Sequence, residues 1–193
     1  MVEMDRKAKI FVISAPSGSG KTTLCNKLLA EGMGLERSVS VTTRRPRPDE
    51  KNGVDYSFVS KRRFQRMAED KRFLEHEENF GYFYGTPKGP IDENIKNGKS
   101  VILSIDVKGA MKVRKAYPAE SVLIFILPPS FDVLNKRLRS RMSDHPKMIL
   151  KRLNLAKREM ACKHIYDYRI VNDRLDGAYR RLKKIILKEL GGV

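Results

Sequence analysis

The run from Lys9 to Ser14 is apolar at every interior position, and it empties into Ala15-Pro16-Ser17-Gly18-Ser19-Gly20-Lys21-Thr22. A helical pattern follows at once, with Leu24, Leu28 and Leu29 on one face and Gly32 and Gly34 to stop it. Strand, glycine-bearing turn and helix in this order constrain the fold tightly. They are the context that the pattern Gly-x-x-x-x-Gly-Lys-[Ser/Thr] requires, and only Ala15 departs from it. Gly18 and Gly20 let the backbone curl so that successive N–H groups point inward at phosphate oxygens. The helix beginning at Lys21-Thr22-Thr23 adds the positive end of its dipole. Lys21 reaches the β- and γ-phosphates, and the Thr22 hydroxyl can ligate Mg²⁺. A glycine-rich turn without that role would leave a lysine and a threonine at the helix start unexplained.

Two further runs, Val101 to Val107 and Ser121 to Leu127, are nearly continuous in apolar residues, as suits parallel strands covered on both faces. Arg169 to Asn172 reads as a shorter one. Helical spacing fills the intervals, over Gly109 to Ala116, Phe131 to Arg141, Pro146 to His164 and Asp176 to Leu190. This alternation predicts an α/β fold, a doubly wound parallel sheet flanked by helices. Residues 38–94 break the rhythm. Their strand signals are short (Ser38 to Thr43, Tyr56 to Ser60), and Ser60 is placed to cap one helix with Phe64, Met67 and Ala68 inward. They read as an inserted, mainly β subdomain.

At 193 residues the chain suits one compact domain. The stretch from Ile10 to Ser14 is too short for a signal-peptide core, and no run approaches a membrane span. Cys25 and Cys162 make neither a disulfide framework nor a metal cluster. A cytoplasmic protein is expected. The net charge of +17, from forty basic and twenty-three acidic residues, calls for anionic partners. The basic residues are spread along the chain and no nucleic-acid-binding signature accompanies them. Phosphorylated small molecules are the expected partners ahead of nucleic acid, and the oligomeric state, monomer or homodimer, stays open.

Several further segments stand in a definite order: Ser38-Val39-Ser40-Val41-Thr42-Thr43-Arg44-Arg45-Pro46-Arg47, Asn52-Gly53-Val54-Asp55-Tyr56, Phe73-Leu74-Glu75-His76, Gly81-Tyr82-Phe83-Tyr84-Gly85-Thr86, Ile105-Asp106-Val107-Lys108-Gly109 and Ile170-Val171-Asn172-Asp173. Together with the loop at 15–22, this series resembles the guanylate kinases from Ile10 to about Leu190, and Ala15 is typical of that family. The resemblance implies transfer of the γ-phosphoryl group of ATP to GMP and dGMP, with Mg²⁺. It implies a core of residues 1–37, 95–136 and 159–193, a GMP-binding subdomain at 38–94 and a helical lid at 137–158. Arg44 and Arg47, with Tyr56 and Tyr84, are implied partners of the GMP phosphate, a role that the planar guanidinium fork suits. Glu75 is implied to accept from the adjacent N1–H and NH₂ donors of guanine, with Ser40 donating to O6 and Thr86 and Asp106 adding contacts. From its residues alone, Glu75 reads as one of several solvated acids, beside Glu77 and Glu78. Arg141 and Arg152 match the lid arginines, Arg137 is a further candidate, and Asn172 matches a position near the ATP adenine.

Three positions depart from the family pattern. Ser104 stands where an aspartate usually holds the metal through water, so it can hydrogen-bond a metal-bound water but supplies no charge. Met142 replaces a glycine after Arg141, and Arg174 replaces an acid. Scaffold domains that share the fold but bind phosphorylated peptides form the rival class. They typically degrade the nucleotide loop, whereas Gly18, Gly20, Lys21 and Thr22 are intact here.

Overall fold

The computed structural model describes residues 8–140 and 146–191. Five strands form a parallel sheet in the order β2 (Leu35–Arg37), β7 (Ser100–Ser104), β1 (Ile10–Ser14), β8 (Ser121–Leu127) and β9 (Tyr168–Val171). Central β1 is buried at all five positions. Its Phe11 and Ile13 join Ile102, Ile124 and Ile126 in one layer, under α1 (Lys21–Ala30) and α7 (Leu175–Glu189). Its Ile10 and Val12 join Leu103, Leu123 and Phe125 in the other, under α3 (Lys88–Lys96) and α4 (Val107–Ala116). A strand covered on both faces has no polar side to show, which is why these runs read as continuous. Phe125 is fully buried, and truncation to alanine there would cost about 3–5 kcal/mol.

A second, four-stranded sheet runs in the order β4 (Ser57–Phe58), β3 (Val41–Thr42), β6 (Tyr82–Pro87) and β5 (Phe73–Asn79). Strands β5 and β6 form an antiparallel hairpin whose turn, Phe80-Gly81, takes positive φ at both residues. Helix α2 (Lys61–Glu69) packs on this sheet as expected. Ser60 Oγ accepts from the Arg63 N–H at 3.2 Å, and buried Phe64 stacks on Phe73 with ring centroids 4.6 Å apart. Helices α5 (Phe131–Arg139) and α6 (Pro146–Ala161) share a small core of their own, built from Leu134, Leu138, Ile149, Leu153 and Ala156.

The expected elements shift in several places. The strand expected from Val101 to Val107 stops at Ser104, because the Asp106 carboxylate accepts the Gly109 N–H at 2.8 Å and starts α4 at Val107. The strands expected over 38–43 and 56–60 pair over two residues each. Helix α6 gives way at Cys162 to a 3₁₀ turn instead of running to His164. Edge strand β2 and helix α3 go beyond the expected elements. Ile91 of α3 is fully buried against the main sheet, so the boundary expected at residue 94 falls inside a helix that packs with the core.

Candidate active site

The turn after β1 wraps the N-terminus of α1. Gly20 has φ 86°, and a methyl group there would also run into the Asn172 amide. That amide donates to the Ser19 carbonyl at 2.8 Å, so the end of β9 braces the loop from behind. Gly18, at φ 91°, sits against Leu134 and Leu138 of α5, leaving only 3.2 Å for a Cβ. Ala15 avoids positive φ, so nothing at that position demands glycine. Ser19 Oγ is buried with no hydrogen-bond partner among the described residues. Lys21 Nζ donates to the Ile105 carbonyl at 3.1 Å. Burial lowers its pKa, opposed by Cys25, Glu159, Asp106 and Glu75.

Glu75 is 7% exposed, although it lies between half-buried and exposed neighbours. The register of the β5–β6 ladder shifts between Phe73 and Glu75, and this irregularity turns the carboxylate inward. Thr86 Oγ1 donates to one of its oxygens. The other lies so close to Gly109 that a Cβ there would stand 3.0 Å away, which sets the carboxylate beside the positive end of α4. Burial pushes its pKa up to about 7, with the Thr86 bond opposing and Asp106 adding to the rise. Tyr56 and Tyr84 meet edge to face at 6.1 Å in the same wall. Arg44 and Arg47 part company here. Arg44 Nη2 bonds Glu50 at 2.8 Å, with both side chains only 14% exposed, and its guanidinium lies 5.5 Å from the Tyr56 ring centroid. Burial pushes the Glu50 carboxyl up, but bonds from Arg44 and the Arg47 N–H outweigh it and hold the pKa below the usual range. Arg47 reaches the same Glu50 carboxylate at 3.7 Å and opens into the cleft with its head exposed.

Helix α6 forms the third wall. Arg152 Nη1 donates to Ser17 Oγ of the loop at 3.1 Å, and its guanidinium lies 5.5 Å from the Phe80 ring centroid at the tip of the small sheet. Arg137 of α5 donates to the Asn172 carbonyl at 3.2 Å, behind the loop. The lid candidate Arg141, like Met142, lies outside the described residues.

These walls enclose two adjoining cavities of about 490 and 280 Å³ that share Thr22, Ser40, Arg47, Tyr56, Ser104 and Arg152. The smaller runs from the phosphate loop and Thr23 past Asp106 to Glu75 and Tyr84. Thus a phosphate-binding turn and a buried carboxylate face one another across a single cleft. Ser19, Thr86 and Asn172 are buried beneath its surface. Arg44 is turned to Glu50 and Arg137 to β9. Glu159 is a cleft residue that sequence reasoning missed; its one signal is the seven-residue spacing from Arg152, which repeats a helical face. Thr22 and Ser104 bring hydroxyl oxygens to the cleft. An all-oxygen pair suits a hard divalent cation that takes its remaining ligands from phosphate and water. No group of three or more His, Cys, Asp or Glu side chains forms a metal cage among the described residues.

A parallel sheet with a phosphate loop at the end of its central strand, facing a second pocket across a cleft, defines a P-loop phosphotransferase. The guanylate kinase family model matches residues 7–189. The chain is 49% identical over 181 residues to the guanylate kinase of Neisseria gonorrhoeae, covering 94% of this chain and 88% of that protein. It is 46% identical over 176 residues to that of Caulobacter vibrioides, covering 91% and 83%. The crystal structure of guanylate kinase from Anaplasma phagocytophilum superposes with a TM-score of 0.81 at 36% identity, covering 96% of this chain and 87% of that one. The chain belongs to the guanylate kinase family, enzymes that phosphorylate GMP at the expense of ATP. No helix among the described residues is long and apolar enough to cross a membrane.

Proposed function

We propose that this cleft binds MgATP at the loop of residues 15–23 and GMP or dGMP at the small sheet, and that it transfers the γ-phosphoryl group in line between them. The observation that carries this reading is buried Glu75, with Thr86 on one oxygen, across a continuous cleft from Lys21. Guanine offers two adjacent donors, N1–H and NH₂, to such a carboxylate, with Ser40 at reach for O6. Adenine would set its N1 lone pair against the same oxygens and leave buried acceptors facing each other. Arg47, Tyr56 and Tyr84 lie between base and loop, where the GMP phosphate would sit. Arg44 supports this wall, and reaching the phosphate would require it to leave Glu50.

Thr22 would hold the metal directly and Ser104 through water. When bound, Mg²⁺ would offset the charge of the phosphates. The chain's own residues orient the groups. Lys21 and the loop N–H groups hold the donor phosphates, Arg152 reaches over the loop from α6, and closure of the segment 137–158 would bring Arg141 in while expelling water. Asp106 contributes mainly by starting α4 beside Glu75. Asn172 and Arg137 hold the loop's shape from behind, close to where an adenine would lie. The cytoplasm, where ATP and GMP are both at hand, is the compartment this chemistry suits. Release of ADP from MgATP should be far faster with GMP or dGMP than with AMP, CMP or UMP. Equal rates with AMP and GMP would overturn the assignment of Glu75.

A further inference from the structure

Glu159 lies on the face of α6 that also carries Arg152 and Leu155 into the cleft, at spacings of seven and four residues that align along a helix. Its half-buried carboxylate accepts no hydrogen bond or ion pair from a described residue, and it lines the same cavity as Lys21 and Asp106. A carboxylate partly withdrawn from water without a direct partner is costly. Burial raises its pKa to about 7, against the pull of Lys21. The one bond that Lys21 makes to a described residue is to a neutral carbonyl, that of Ile105, although an ammonium has three N–H donors to place. Of the other acids near Lys21, Asp106 spends one oxygen on the Gly109 N–H and Glu75 one on Thr86. Helix α6 therefore meets the phosphate loop through Arg152 at Ser17 and brings Glu159 into the same cavity as Lys21.

We propose that Glu159 is a positioning residue for phosphoryl transfer, whose carboxylate aims the Lys21 ammonium and couples it to the α6 arm that carries Arg152. The aim of a group on the transferred phosphoryl acts on the transition state more than on ground-state binding. Misplacement on the ångström scale costs on the order of 10- to 100-fold in rate. The same carboxylate repels incoming phosphates, so its removal should leave ATP binding unchanged or tighter.

This inference rests on the reading of the cleft as an ATP:GMP phosphotransferase, and the test separates the two. Steady-state ADP release with MgATP and GMP is measured for the wild type, Glu159→Gln and Glu159→Asp, with thermal melting of each. The expected result is a kcat for Glu159→Gln lowered by about 10-fold or more, ATP KM equal or lower, GMP KM within about twofold, and partial recovery of kcat in Glu159→Asp. An unchanged kcat in Glu159→Gln overturns the proposal, as does a rise of both KM values together with a lowered melting temperature, which would mark a role in packing. Should Glu159→Gln fail to fold, Glu159→Asp decides alone, since a lowered kcat with both KM values retained supports the proposal and an unchanged kcat or a loss of ATP affinity refutes it. A wild type without GMP-dependent ADP release would instead defeat the reading of the cleft.

Discussion

Replacing Glu75 by glutamine tests the link between burial and recognition, because it should make the empty protein more stable and the enzyme worse. The Glu75 pKa is raised from an ordinary 4.5 to about 7 by burial. Below the ordinary value the acid is neutral in both folded and unfolded chains, and the shift costs nothing. As pH climbs, the unfolded chain releases its proton first, and the folded state loses stability until its own carboxyl ionises. At about 1.4 kcal/mol per unit, the cost is about 1 kcal/mol near pH 5.5 and about 3 kcal/mol near pH 8.5. Glutamine fills the same space, its carbonyl can accept from Thr86, and it carries no charge at any pH. Urea denaturation of both proteins without nucleotide should therefore give a stability gain for Glu75→Gln that grows by about 2 kcal/mol between those two pH values. In the same variant the amide NH₂ meets a guanine donor, and kcat/KM for GMP should fall by about 10²- to 10³-fold. A stability difference independent of pH would refute the argument from desolvation. GMP turnover within about fivefold of the wild type would refute the argument from donor matching.

Two other substitutions probe the loop and the metal. Gly20→Ala forces a side chain into positive φ and against the Asn172 amide; it should cost at least about 1–2 kcal/mol of stability and raise the ATP KM, and unchanged values of both would mean that the brace is slack. Ser104→Asp adds a carboxylate where Ser104 now lines the cleft, and it should raise kcat or lower the Mg²⁺ concentration needed for half-maximal rate; no change in either would remove this residue from the surroundings of the metal.

The parts of the molecule that could be read in advance are those whose signals are local. The loop at 15–22 is defined by spacing, and the strands at β1, β7 and β8 by burial on both faces. Helix α3 escaped notice because it opens on Lys88-Gly89-Pro90, a loop-like composition, although proline is tolerated in a first turn where no N–H partner is needed. Strand β2 is three residues, exposed Glu36 between half-buried Leu35 and Arg37, whose extension comes from pairing with β7, and so short a run has no periodicity to announce it. Glu75 was legible only through resemblance. Its burial depends on a ladder irregularity and on the approach of Gly109 from another element, so its neighbours Glu77 and Glu78 look the same on paper. Arg44 and Arg47 are likewise equivalent in the sequence; in the fold both approach Glu50, and burial separates them, with Arg44 turned inward and Arg47 left exposed.

The bond from Asn172 to the Ser19 carbonyl joins positions 153 residues apart. A nucleotide loop is usually thought of as a self-contained turn, but here its curvature is completed from the end of β9, the last of the described strands in chain order. During synthesis β1 and α1 emerge early, yet the loop lacks its rear support until β9 has docked beside β8. Contacts so distant along the chain form late in folding. A nascent or truncated chain without residues 168–172 should therefore hold ATP poorly even when its loop sequence is intact. Nucleotide affinity in this architecture reports on completion of the whole sheet, and ATP in turn stabilises only chains that have finished it.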